Sequence, residues 1–156
     1  MRAGVLTAAR LAYSQFDGDA FRQWFVTLTY SPGEAWRPSH IRGFCTAFRE
    51  WGRRQGCEVA YVWKLELTRA GAPHYHVLLF ARGYPWLPKL ETWWGHGSTN
   101  CQVARNAVGY VAKYLSKDLV GRLPDNARLW GFGGLDGESR GELRWWRAPR
   151  WLRAVS

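Results

Sequence analysis

The sequence predicts an α+β fold, and three observations predict it. Segments with period-two patterning are interleaved with segments of helical period. Clusters of turn-forming residues separate them. Two central strand-like segments are joined by only a few residues, which makes a hairpin and so a largely antiparallel sheet. The chain has 156 residues, enough for one domain with a real core. Its apolar share of 47% and aromatic share of 16% are those of a folded globule.

The elements follow in order. "QWFVTLTY" (Gln23–Tyr30) is rich in β-branched and aromatic residues and stops at "SPGE", which predicts a strand. Thr27 and Thr29 share one face of it, and Val26, Leu28 and Tyr30 the other. "PSHIRGFCTAFREWGRRQG" (Pro38–Gly56) predicts a helix, with Ile41, Phe44, Cys45, Phe48 and Trp51 forming a core-facing stripe. Ser39 is its expected cap and Gly56 its stop. "EVAYVWKLELT" (Glu58–Thr68) and "PHYHVLLFA" (Pro73–Ala81) predict two strands joined by "RAGA". "STNCQVA" (Ser98–Ala104) is a weaker strand, and "ARNAVGYVAKYLSKDL" (Ala104–Leu119) a helix. "ELRWWR" (Glu142–Arg147) is the expected last strand. The order β-α-β-β-(α)-β-α-β gives a five-stranded, largely antiparallel sheet with helices packed on one face, close to an RRM-like or ferredoxin-like plan. The other face is left for a site.

Formal net charge is +10, so the expected partner is anionic: nucleic acid, an anionic membrane or an acidic protein. Arginines outnumber lysines 18 to 4, and there are 11 tryptophans, a combination suited to stacking on unpaired bases. Trp145 and Trp146, beside Arg144 and Arg147, are candidates for DNA contact. Cys45, Cys57 and Cys101 are odd in number and form no CxxC pair, which argues against a disulfide framework and fits a reducing cytoplasm. Arg10 interrupts the only apolar run near the start, unlike a signal peptide, and no stretch is apolar for the length of a membrane span.

Alternation along the hairpin puts His74, His76, Leu78 and Phe80 on one face. Imidazoles two residues apart on a strand stand roughly 6–7 Å apart at the backbone and can converge on one ion. If the turn keeps an even register, Lys64 and Glu66 face the same way. Glu66 is a carboxylate where an apolar residue is expected, and it needs a partner. Two histidines and one carboxylate leave open positions on a metal, and the set accepts Zn, Fe or Mn. The histidine pair by itself reads equally as two surface residues of a hairpin; Glu66 is what favours an ion.

In "GYVAKYLSK" (Gly109–Lys117), Tyr110 and Tyr114 stand one above the other on a helical face, bordered by Lys113 and Lys117. A phenol of pKa about 10 is roughly one part in a thousand ionised at neutral pH. It becomes a nucleophile through a nearby ammonium that lowers its pKa, or a metal that polarises the target phosphorus. The pair alone reads more simply as rim residues touching DNA without chemistry.

Together these segments resemble the HUH endonucleases of the rolling-circle replication initiator (Rep) class. "FVTLTY" (Phe25–Tyr30) is similar to the first motif, "PHYHVLLF" to the His-hydrophobic-His second, and "YVAKYLSK" (Tyr110–Lys117) to the third in the two-tyrosine form of small-phage gene A-like initiators. "WGHG" (Trp94–Gly97) and "RLWG" (Arg128–Gly131) resemble weaker connecting signatures of such proteins. The likeness spans residues 23–131, the core of a single 1–156 domain with a C-terminal extension at 132–156 of unassigned role. It implies His74, His76 and Glu66 as ligands of Mg2+ or Mn2+. It implies Tyr110 and Tyr114 as nucleophiles on single-stranded DNA at a replication origin, leaving a 5′-phosphotyrosine and a 3′-hydroxyl, with Lys113 and Lys117 assisting. Thr27, Thr29 and Lys64 are further candidates for DNA contact. Location would be the cytoplasm of a bacterial or archaeal host. No GxxxxGK[ST] is present, so unwinding would fall to a host or separate helicase. Two alternatives stand beside this reading: an HUH-type tyrosine transposase, and a non-catalytic RRM-like single-strand binder. His40 and His96 are expected to be structural or solvent-exposed.

Overall fold

A computed structural model describes residues 2–106, 109, 113 and 121–154. The elements are α1 (Arg2–Phe16), β1 (Phe21–Thr29), α2 (Pro38–Gln55), β2 (Val59–Leu67), β3 (Pro73–Arg82), the single turn α3 (Glu91–Trp94), β4 (Thr99–Val103), β5 (Trp130–Gly133), α4 (Gly137–Arg147) and the single turn α5 (Arg150–Arg153). The five strands form one sheet in the order β4-β1-β3-β2-β5. Every ladder is antiparallel. β1 and β2 therefore run parallel to each other with β3 between them, which is the one parallel relation the β-α-β step allowed.

The expected strands before residue 104 lie within a residue or two of their predicted bounds. The α2 stripe of Ile41, Phe44, Cys45, Phe48 and Trp51 is buried against Trp24, Val26, Leu28, Leu65, Val77 and Leu79 of the sheet. Pro38 is the first residue of α2, and Arg37 rather than Ser39 occupies the capping position. Gly56 ends the helix at φ 66°, a left-handed conformation that glycine adopts without a Cβ penalty.

Two differences from expectation matter for the site. Glu142–Arg147 is helical, not a strand: it lies inside α4, which Asp136 caps by accepting from the Ser139 N–H at 2.8 Å. Leu143 is buried and Trp145 and Trp146 are both exposed, a helical rather than alternating pattern. The fifth strand is instead Trp130–Gly133, paired to β2. The second difference is α1, which adds a helix layer to the face expected to be open. Val5, Ala8, Ala9, Ala12 and Phe16 bury against Phe25, Ala60, Val62, Leu78 and Phe80, and Leu143 of α4 joins them.

That layer covers only half of the face. Going along β3, Phe80 and Leu78 give way to His76 and His74; along β2, Ala60 and Val62 give way to Lys64 and Glu66; along β1, Phe25 gives way to Thr27 and Thr29. The apolar half lies under α1, and the polar half stands beyond it.

β5 carries alternate glycines for a packing reason. A Cβ on Gly131 would stand 2.6 Å from the Trp63 ring, and one on Gly133 would enter the Tyr61 ring. Rings on β2 thus lie across bare backbone on β5. Gly131→Ala is expected to lower unfolding free energy by about 1–3 kcal/mol through overpacking; urea denaturation reads this as a lower midpoint at an unchanged slope.

Candidate metal centre

The β2–β3 register sets Glu66 opposite His74 and Lys64 opposite His76, and the β1–β3 register sets Thr27 opposite His76 and Thr29 opposite His74. Directly opposed residues share a face, so six polar side chains from three neighbouring strands meet.

The contacts are close. Glu66 Oε2 lies 3.0 Å from His76 Nε2 and 3.6 Å from His74 Nε2, and the two Nε2 atoms are 3.1 Å apart. The rings stand nearly perpendicular, at 89°. Lys64 Nζ donates to Glu66 Oε1 at 3.1 Å with its side chain 1% exposed. Thr27 Oγ1 is 3.2 Å from His76 Nδ1, and the Phe25 ring stacks on His76 with centroids 5.2 Å apart. These contacts hold the imidazole from one side and leave Nε2 aimed at the carboxylate. Burial alone would raise the Glu66 carboxyl pKa, but hydrogen bonds from His74, His76 and Lys64 reverse this and hold it well below the usual carboxylate range.

Glu66, His74 and His76 offer three ligand atoms within 4.8 Å of one another. The donor set fits a divalent ion. Two donors each about 2.1 Å from one ion and at right angles are about 3.0 Å apart, close to the 3.0 and 3.1 Å separations found here. Two imidazoles and one carboxylate on one side leave the remaining coordination positions open. The Thr27 hydroxyl fixes the ring from its far nitrogen, a common way in which a neighbour orients a ligand histidine. His74 Nδ1 is buried and has no hydrogen-bond partner.

The remaining expected residues fall elsewhere. Tyr110, Tyr114 and Lys117 lie outside the described residues. Gly109 and Lys113 are helical, and Lys113 is exposed. Trp145 and Trp146, 43% and 49% exposed, belong to a separate aromatic–arginine cluster on α4. His40 and His96 stack with centroids 3.6 Å apart, with Tyr30 and Glu34 as their polar partners. They join the first turn of α2 to the loop before β4. Burial and the charge of His96 lower the His40 pKa. Cys45, Cys57 and Cys101 are free thiols. Among the described residues no helix is long and apolar enough to cross a membrane. Sequence reasoning placed Lys64 on the right face but missed that its ammonium engages Glu66. It also missed Thr27 as the partner of His76. Strand parity across the hairpin carried the first signal, whereas the second depends on the β1–β3 register, which no short turn fixes.

An open antiparallel sheet with helices and a two-histidine, one-carboxylate group on its central hairpin defines a protein with a candidate metal centre. The profile of the replication-associated protein ORF2 family matches residues 23–119, well over half of the chain. The chain belongs to that family. No curated protein and no solved structure matches it.

Thr27→Val removes the hydroxyl behind His76 and keeps the shape. Mn2+ affinity, measured by calorimetry, is expected to fall about 10- to 100-fold, while circular dichroism stays that of the unaltered protein.

Proposed function

We propose that this protein is a rolling-circle replication initiator of the HUH type, which nicks and rejoins single-stranded DNA at the origin of a phage or plasmid. The convergence of Glu66, His74 and His76 on one face of the central hairpin carries the reading. Membership of a replication-associated family supports it over the transposase alternative. A non-catalytic binder has no use for two imidazoles and a carboxylate drawn to one point beside a buried lysine.

In this reading His74, His76 and Glu66 would hold Mg2+ or Mn2+, which when bound would supply Lewis-acid polarisation of the scissile phosphate. The strand lies over the polar half of the face, along Thr27 and Thr29. The phenolic oxygen of Tyr110 or Tyr114 attacks phosphorus. A P–O bond to the tyrosine forms as the P–O3′ bond breaks; the phenol gives up its proton and the 3′-oxygen leaves as a hydroxyl that primes synthesis. The adduct conserves one phosphodiester bond, so the second tyrosine or a 3′-hydroxyl can reverse the exchange without ATP. Lys113 and Lys117 favour the phenolate and offset phosphate charge. Lys64 holds Glu66 in place. Strand separation is the work of a host or separate helicase, and the reaction belongs in the cytoplasm of the host cell.

A randomised library of single-stranded oligonucleotides tests this without knowledge of the origin. Members that become covalently attached are recovered after denaturation and proteolysis. Recovery is expected with Mn2+, and is expected to vanish with EDTA, with His76→Ala and with Tyr110→Phe combined with Tyr114→Phe. Recovery that survives EDTA or loss of both phenols would refute the assignment.

A further inference from the structure

The C-terminal segment builds a second feature on the same face as the metal group. Trp130 of β5 is paired in register with Lys64 of β2, whose ammonium contacts Glu66. Trp130 is thus the next position outward across the sheet from the candidate centre. Beyond it α1, α4 and α5 enclose a cleft of about 470 Å3, lined by Gly4, Thr7, Trp130, Trp146, Arg147 and Arg153. That volume falls in the range of about 300–1,000 Å3 common for small-ligand sites. Among the described residues no carboxylate lines it.

Its chemistry is cationic and flat. The Arg147 guanidinium lies 5.5 Å from the centroid of the Trp130 ring, and that of Arg153 lies 5.8 and 5.7 Å from those of Trp145 and Trp146. Arg153 Nε is buried and has no hydrogen-bond partner among the described residues, a donor directed at nothing there. A desolvated donor of this kind costs free energy unless something supplies an acceptor. Gly4 leaves room for the Trp130 ring, since a Cβ there would stand 2.7 Å from it. The lining residues all lie outside the family-matched span 23–119.

We propose that the cleft binds a nucleotide of the single strand flanking the one at the metal centre, with the base on the indole faces of Trp130 and Trp146 and the phosphate on Arg147 and Arg153. Indole platforms beside guanidinium groups are the chemistry that takes up splayed, unpaired bases; a duplex keeps its bases stacked and offers the cleft only backbone. The proposal rests on the nicking assignment for its role in positioning the strand, but the binding step stands without it.

Binding of a fluorescein-labelled thymidine 20-mer, followed by anisotropy in EDTA so that no chemistry intrudes, tests it. Trp146→Ala is expected to weaken binding about 5- to 100-fold. Arg153→Ala is expected to lower the slope of log affinity against log salt by about 0.7, one phosphate contact on a single strand. Trp146 is half exposed, so its removal spares the core. Trp86→Ala, at an indole 70% exposed on the loop after β3 and outside the cleft, is expected to change nothing. Unchanged binding by Trp146→Ala, equal losses in Trp146→Ala and Trp86→Ala, or equal competition by a duplex of the same length would overturn the cleft. None of these bears on covalent attachment. Conversely, loss of binding in Trp146→Ala with no metal-dependent adduct from the unaltered protein would sink the nicking assignment and keep the cleft.

Discussion

The register of the β2–β3 hairpin is the constraint on which the rest depends. Glu66 meets the histidines because it sits opposite His74, with Lys64 opposite His76. A slip of one residue would turn the carboxylate to the face covered by α2, where it would be buried without partners, and would expose the leucine beside it. Register is well specified here because both faces of β3 are packed: Val77 and Leu79 lie toward α2, and Leu78 and Phe80 toward α1. Burial at one end of the hairpin thereby fixes polar geometry at the other.

The division of one sheet face between an apolar and a polar half explains where chemistry can occur. α1 crosses the sheet with small residues, Ala8, Ala9 and Ala12, and its close approach seals Phe25, Val62 and Leu78 from water. The candidate ligands begin one strand step past that seal. They are dry enough for a carboxylate, a lysine and two imidazoles to interact strongly. Their side chains are 11–15% exposed, apart from Lys64 at 1%.

Much of this was legible in the residues. Alternation in "PHYHVLLF" and parity across a short turn placed Glu66, His74 and His76 on one face, and helical period identified the buried side of α2. Other elements were not legible in the same way. α1 buries small residues, Ala8, Ala9 and Ala12, and shows a weak amphipathic signal, so the segment before Gln23 carries no marked pattern. The unbroken apolar run Val77–Ala81 does hold the information, since a strand apolar at successive positions is covered on both sides. α4 has the local look of a strand because the aromatic residues in "LRWWR" have high strand propensity; the cap at Asp136 and burial of Leu143 decide for a helix. The Trp130 strand is hidden because "LWGFGG" is rich in glycine, and it is the rings of Trp63 and Tyr61 that give Gly131 and Gly133 a reason.

The ion pair between Lys64 and Glu66 has an electrostatic corollary. With both imidazoles neutral, as ligands must be, the charges of Lys64 and Glu66, the ion pair described at the three donor atoms, cancel. A dication seated there would face no net anionic cage, and the balancing charge would have to come from outside, from phosphate oxygens. Ion and strand would then assist each other's arrival, by the same factor in either direction.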